Sequence, residues 1–227
     1  MDYVFIITYG RSGSTLLQGI LNRHDGFHIT GENGNLLASL YDMHLRLLEA
    51  KKISGKNLRR KQTDPYFGID FIKSDLSFGL ARSLLEQITL PSWNGNARPH
   101  TIGYKEIRFP FLDDPQGFLA WLRECFPKGA FIFNTRSLDA VLQSGFHKKL
   151  GGEEREAQRK RFLAFEKVCE NFCFRDELSV MISYDEYAAH PEVLIEQMAK
   201  CGLTLDASRI LEATKTMHSY TWANKKE

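Results

Sequence analysis

The chain reads as an α/β protein: a mainly parallel central sheet with helices on both faces, in three layers. Three observations predict this. Short runs rich in strand-forming residues alternate with helical patterns along the whole chain. The first apolar run passes into a helix through a tight turn made of Gly and Ser. Polar residues gather just after the apolar runs. Such alternation implies right-handed crossovers and a sheet covered on both faces. Ligands on sheets of this kind sit beyond the C-terminal ends of the strands.

Val4-Phe5-Ile6-Ile7-Thr8 is the first strand candidate. Leu16, Leu17, Ile20 and Leu21 then form a one-sided stripe, which predicts a helix. Between them lies Gly10-Arg11-Ser12-Gly13-Ser14-Thr15. Two glycines allow a sharp bend and close approach of a ligand to the main chain. Ser14 or Thr15 is expected to cap the helix. The start of a helix leaves N–H groups unpaired and carries the positive end of its dipole. The stretch is therefore an anion site suited to phosphate. It differs from the nucleotide triphosphatase loop, which has Lys directly after its last glycine. Here Ser14 follows Gly13, and the cation is Arg11.

Further on, Phe27–Thr30 reads as a second strand and Gly31–Asn35 as a polar turn, with Asn33 or Asn35 capping a helix over Leu36–Lys52. Lys51–Asp64 is a basic, glycine-containing stretch, read either as a solvated loop or as a patch that steers an anionic acceptor. A helix over Asp75–Gln87 follows. Thr101–Ile107 and the almost wholly apolar Ala130–Thr135 are the third and fourth strands, separated by a helix over Phe118–Cys125. Arg136–His147 is expected as one helix and Glu153–Glu177 as a long charged one. Ser179–Ser183 is the last strand, followed by helices over Glu192–Cys201 and beyond Asp206. Four polar clusters fall at strand ends: Gly10–Thr15, Gly31–Asn35, Lys105–Arg108 and Arg136–Ser137. The topology should bring them to one crevice.

Bulk properties narrow the class. A length of 227 residues suits one domain, 1–227, with 51–100 as an insertion on the acceptor side. A net charge of +2 argues against a nucleic-acid partner. Cys125, Cys169, Cys173 and Cys201 show no paired metal-ligand spacing, and Cys169 and Cys173 sit one helical turn apart as buried neighbours would. The chain enters a strand at once, without a basic-then-apolar leader, and lacks an apolar run of about 18 residues, so a cytoplasmic setting with no membrane span is expected.

Three segments carry a family resemblance. YGRSGSTLL at 9–17 resembles the 5′-phosphosulfate loop of sulfotransferases that use 3′-phosphoadenosine 5′-phosphosulfate (PAPS). In FIFNTRSLDAVLQSGF, Arg136 closes a strand and Ser144 follows eight residues later, a spacing similar to that family's 3′-phosphate site. Ile182-Ser183-Tyr184-Asp185-Glu186, with Pro191 beyond, resembles its late strand segment. The resemblance implies the P-loop nucleotide-hydrolase-like sulfotransferase fold. It implies PAPS as cofactor, no metal, and a small-molecule or saccharide hydroxyl acceptor, with a carbohydrate or glycolipid favoured. Arg11, Ser12, Gly13, Ser14, Thr15, Arg136, Ser144 and Tyr184 would bind the cofactor. The Arg in the loop resembles the branch containing many bacterial, carbohydrate and tyrosylprotein enzymes. That branch tends to use a Glu after the second strand, here Glu32. The His of the cytosolic type is missing from Lys105-Glu106-Ile107, and its late R-K-G segment is absent, the tail reading Met217 to Trp222.

The mechanism implied is in-line attack by the acceptor hydroxyl, with Glu32 as general base and Arg11 and Lys105 neutralising charge. The alternatives are structural. Glu32 could brace a loop, Lys105 could be a snorkelling strand-end lysine, and Glu106 could pair with Arg108 or lie apart from it. Arg136 could serve only a salt bridge, and Ser144 only its own helix. None of the seven histidines reads as catalytic; His147 and His218 lie nearest the cofactor segments. Tyr66, Phe67, Trp93, Phe109 and Phe111 are expected mostly to fill core. The rival functions are a small-molecule or nucleoside kinase and a non-catalytic nucleotide-binding module.

Overall fold

A computed structural model describes residues 1–55 and 60–217. Strand β1 (Asp2–Ile7) leads into helix α1 (Ser14–Leu21), then β2 (Phe27–Thr30), α2 (Leu36–Ser54) and α3 (Leu76–Thr89). Next come β3 (Thr101–Glu106), α4 (Pro115–Cys125), β4 (Ala130–Thr135), α5 (Leu138–Leu142) and α6 (Gly152–Cys173). The last elements are β5 (Ser179–Ser183), α7 (Tyr184–Ala189), α8 (Val193–Lys200) and α9 (Ala207–Met217). The sheet runs β2-β3-β1-β4-β5, every pairing parallel.

Alternation along β1 builds the three layers. Phe5 and Ile7 face a core completed by Leu37, Leu85, Phe118 and Phe162, from α2, α3, α4 and α6. Val4 and Ile6 face a second core with Leu17, Tyr187, Met198 and Ile210, from α1, α7, α8 and α9. Both faces of the central strand are dry, which is why it carries an unbroken apolar run.

The expected strands form, and the main departures lie in helix boundaries. The predicted Arg136–His147 helix is only α5; the chain then turns through Gln143 and an extended Ser144 into a 3-10 segment, Gly145–Lys149. The α1 cap is Gly13, with a left-handed φ of 80°, and neither Ser14 nor Thr15 caps it. Asn35 stands at the cap position of α2 in a left-handed conformation, while the Asn33 side chain accepts from the Leu36 N–H at 3.1 Å. A short helix, α7, follows the last strand directly, beginning at Tyr184.

Within the basic stretch Lys52 and Lys61 are exposed, in keeping with the solvated reading, and one residue departs from it. Arg60 turns inward, pairing with Asp70 at 3.0 Å and donating to the carbonyls of Ser54 and Gly55. Residues 56–59 of that stretch and the tail His218–Trp222 lie outside the described residues. Of the five aromatics expected mostly in the core, Phe109 is buried, whereas Tyr66, Phe67 and Phe111 are exposed and Trp93 is half-buried. Cys125, Cys169 and Cys201 are buried free thiols.

Candidate active site

The four polar clusters meet at the strand tips, stitched by direct hydrogen bonds. The loop after β1 is fixed from below. Thr8 donates to Ser12 Oγ at 2.7 Å, and Asn134 Nδ2 donates to the Ser12 carbonyl at 2.9 Å. Tyr187 in turn donates to Asn134 Oδ1 at 2.8 Å. Ser12 is fully buried, so its hydroxyl faces the core. Asn134 is the one amide in the apolar run AFIFNT, a signal that the sequence reading passed over.

Gly13 is required on two counts. Its φ is left-handed, and a Cβ there would lie 1.9 Å from the Tyr184 ring. Tyr184 therefore packs directly on the loop backbone. Arg136 lies over that ring, 4.7 Å from its centroid. Arg11 also has a positive φ, 70°, uncommon for a residue with a side chain and a form of strain that concentrates at functional sites.

Arg11 joins the loop to the later segment. Its Nε donates to Ser144 Oγ at 3.0 Å, and its carbonyl accepts from Arg136 Nη1 at 3.3 Å. Gly145 has a φ of 56°, and a Cβ there would press on the Arg11 side chain at 2.8 Å. Ser144 thus reaches the loop because the helix breaks before it. Arg136 is further braced by Asp185, whose Oδ1 lies 3.7 Å from Nε and whose Oδ2 accepts from the Ser137 N–H at 2.7 Å. The buried Arg136 Nε has no hydrogen bond among the described residues.

The tips of β2 and β3 carry two contrasting carboxylates. Lys105, buried at the end of β3, reaches Glu32 Oε1 at 2.5 Å, and the Glu32 side chain is 36% exposed. Glu106, the next residue, points to the opposite face and is fully buried. Its Oε2 accepts from the N–H groups of Asn33 and Asn35, at 3.3 and 2.7 Å. Its Oε1 accepts from the N–H groups of Ile107 and Arg108, and from Arg108 Nη1 at 3.3 Å. The Glu106–Arg108 pairing left open by the sequence therefore forms, and Glu106 ties the loops after β2 and β3 together. A bridge between Tyr9 and Arg108 fastens the first loop to the third.

Tyr9 fastens the fourth. Its hydroxyl accepts from the Arg136 N–H at 3.1 Å and donates to Glu166 Oε1 at 2.5 Å. Burial holds the Tyr9 phenol well above its ordinary value, with Glu166 adding to the effect. Burial likewise raises the Glu166 carboxyl.

The residues fit a doubly phosphorylated nucleotide. A helix start and a backbone bend stand beside Arg136, whose Nε pairs with Asp185 but makes no hydrogen bond among the described residues, and beside Arg11. Among the described residues no three His, Cys, Asp or Glu side chains group as metal ligands.

A parallel sheet whose first strand feeds a glycine-serine bend and a helix start defines a phosphate-binding α/β protein. The sequence model described as the sulfotransferase family matches residues 4–207. The chain belongs to the sulfotransferase family and is a sulfotransferase by that membership. Two solved structures share the fold. The sulfotransferase domain of the Synechococcus PCC 7002 olefin synthase is 15% identical with a TM-score of 0.59, covering 94% of this chain and 77% of its own. The sulfotransferase domain from the curacin biosynthetic pathway is 17% identical with a TM-score of 0.54, covering 93% of this chain and 77% of its own. No curated protein matches the chain. No helix among the described residues is long and apolar enough to cross a membrane.

Proposed function

We propose that this chain moves the sulfuryl group of PAPS to the hydroxyl of a small-molecule or saccharide acceptor. The whole of 1–227 would act as one catalytic domain in a cytoplasmic setting. One observation supports the reading: Arg11 touches Ser144 and Arg136 at once, so the loop and the later segment lie side by side at the strand tips. When bound, PAPS supplies the sulfuryl group and leaves as adenosine 3′,5′-bisphosphate.

The chain's own residues would divide the work as follows. Gly13, Ser14 and Thr15 hold the 5′-phosphate through the helix start and their hydroxyls, with the Ser12 main chain completing the bend. Arg136 and Ser144 hold the 3′-phosphate, the first as a two-pronged donor and the second as a single hydroxyl. Tyr184 sets the height of the loop and the plane of Arg136. Glu32 takes the proton of the acceptor hydroxyl, and Lys105 keeps that carboxylate aimed while offsetting charge with Arg11.

Thermal stabilisation separates this reading from its rivals. Adenosine 3′,5′-bisphosphate should raise the melting temperature, whereas ATP with magnesium should not. Arg136→Ala should weaken that nucleotide by about 10- to 100-fold, the scale of lost hydrogen bonds to a charged group. Stabilisation by ATP with magnesium alone would favour a kinase. Nucleotide binding without [35S]sulfuryl transfer to any acceptor would favour a binding module.

A further inference from the structure

Much of the large apolar side-chain surface that the chain leaves in water is gathered at one place. Ile53 stands in the last turn of α2, and Tyr66, Phe67, Phe71 and Ile72 lie in the segment that returns beside that end. All five are exposed, Phe71 at 72% and Ile53 at 64%, and none belongs to either core. Polar bonds hold the segment against the helix instead. Lys51 Nζ donates to the Ile72 carbonyl and to Ser74 Oγ. The inward-turned Arg60 ties the carbonyls of Ser54 and Gly55 to Asp70, and Asp64 accepts from the Tyr66 N–H at 2.8 Å. The segment is thus shaped by a buried guanidinium, with its apolar side chains left outside. Exposed apolar clusters of this kind mark interaction surfaces.

The same place concentrates positive charge. Seven Lys or Arg against two Asp give 51–73 a net +5 in a chain of +2, so the remaining residues carry −3. Both of those carboxylates are taken by Arg60, Asp64 at 3.4 Å and Asp70 at 3.0 Å. Lys52 precedes Ile53, Lys73 follows Ile72, and both are exposed, as is Lys61. Neither these three lysines nor Lys51 pairs with a carboxylate among the described residues, and the next acidic residues along the chain, Glu49 and Asp75, fall outside 51–73. Apolar tips and unpaired amines therefore alternate over one face.

We propose that this face docks on the surface of an anionic lipid bilayer, with Ile53, Phe67 and Phe71 entering the headgroup region and Lys52, Lys61 and Lys73 meeting lipid phosphates. The proposal goes beyond the sulfotransfer reading and does not depend on it. Interfacial anchors combine apolar side chains that leave water with cations that meet negative headgroups, and this face supplies both. A second copy of the chain fits less well. A two-fold interface sets a patch against itself, and here it would bring lysines to lysines with no free carboxylate of the patch to answer them. Because the Arg60 bonds already fix the segment, docking has little backbone left to order. The site chemistry is kept clear of the contact. Helix α2 starts beside Asn35 and runs 19 residues, about 28 Å, so the patch lies at the far end of that helix from Glu32.

Vesicle sedimentation of the full chain tests this. The vesicles are phosphatidylcholine alone, or phosphatidylcholine with a quarter of phosphatidylglycerol. The chain should pellet with the mixed vesicles, far less with phosphatidylcholine, and be released by high salt. Reversing lysines should weaken partitioning by about 5-fold or more for each one changed, so Lys52→Glu with Lys73→Glu should lose about 25-fold or more. Phe71→Ser leaves every charge in place and should still lose about 10-fold or more, which separates insertion from attraction alone. Each change lies on an exposed side chain, so the melting temperature should hold. In Phe71→Trp, emission should shift to the blue with mixed vesicles and stay put with soluble glycerol phosphate, which separates a bilayer from a free phosphate. Failure to pellet with mixed vesicles at low salt would overturn the proposal, as would binding indifferent to both Phe71→Ser and the lysine reversals. A dimer in light scattering that Phe71→Ser dissolves would assign the face to a second copy instead. Binding of a single-stranded oligonucleotide in preference to vesicles, lost in the lysine variants, would assign it to nucleic acid.

Discussion

Glu32 and Glu106 stand at the tips of neighbouring strands, yet their surroundings give them opposite characters. Glu106 is sealed in and accepts from four backbone N–H groups and one guanidinium. Glu32 is partly open to solvent and holds one lysine. A carboxylate whose lone pairs are filled by fixed donors has nothing left for a substrate. One with an open face and a single cationic partner can take a proton. Counting donors marks Glu106 as structural and leaves Glu32 as the carboxylate proposed for the chemistry, and the two are coupled. Glu106 anchors Asn33 and Asn35, the residues that set where the preceding Glu32 stands.

The contrast breaks most visibly at Glu106. Glu106→Ala strands four loop N–H groups and leaves Arg108 without its partner. Because Arg108 is half-exposed, the cost comes from the stranded N–H donors and is about 1–3 kcal/mol of stability or more, the scale for buried donors left unsatisfied. Urea unfolding measures it. A loss under about 1 kcal/mol would mean that water replaces the carboxylate and that the strut is dispensable.

Glu32→Gln should do the reverse. Stability should change by no more than about 1 kcal/mol, since a half-exposed pair contributes little. Turnover with saturating PAPS should fall about 100-fold or more, the range for a lost general base. Single-turnover sulfuryl transfer is the direct readout. Near wild-type turnover would remove Glu32 from proton transfer and leave it as a brace for Lys105.

The same contrast marks how far residues alone reveal this molecule. The strands were legible because period and composition agree: a two-sided apolar run such as VFII has no stable place but a doubly covered sheet. The convergence of Arg11 and Arg136 was legible because each polar cluster follows a strand; Ser144 was reached only through the family resemblance. The break before Ser144 was not. LDAVLQSGF keeps helical composition through that point, and a tertiary contact, Ser144 to Arg11, overrides it with help from a left-handed Gly145. Nor could the sequence assign Glu106, since alternation along β3 says only that it and Lys105 face opposite ways. His147 read as one of several neutral histidines because nothing local marks its burial; only the packing of Phe146 and Phe162 around it does.

The smallest predicted effect concerns pH and sharpens the same distinction between polar groups by their surroundings. Burial lowers the affinity of His147 and His44 for a proton. In the unfolded chain both titrate near pH 6.5, so below that value the unfolded state binds more protons than the folded one. Stability should therefore be complete above about pH 6.5 and decline as pH falls through the folded-state values. The slope is at most about 1.4 kcal/mol per pH unit for each histidine. Glu166 works in the other sense, because its raised value makes the folded state the better proton binder as pH falls. His44 has a side-chain partner, Ser77 Oγ at 3.0 Å, whereas the polar group acting on His147 is the Gly10 backbone. Urea midpoints between pH 7.5 and 5.5 should accordingly flatten more in His147→Gln than in His44→Gln. An identical slope in wild type and both variants would place the pH dependence elsewhere and remove His147 as a buried neutral group.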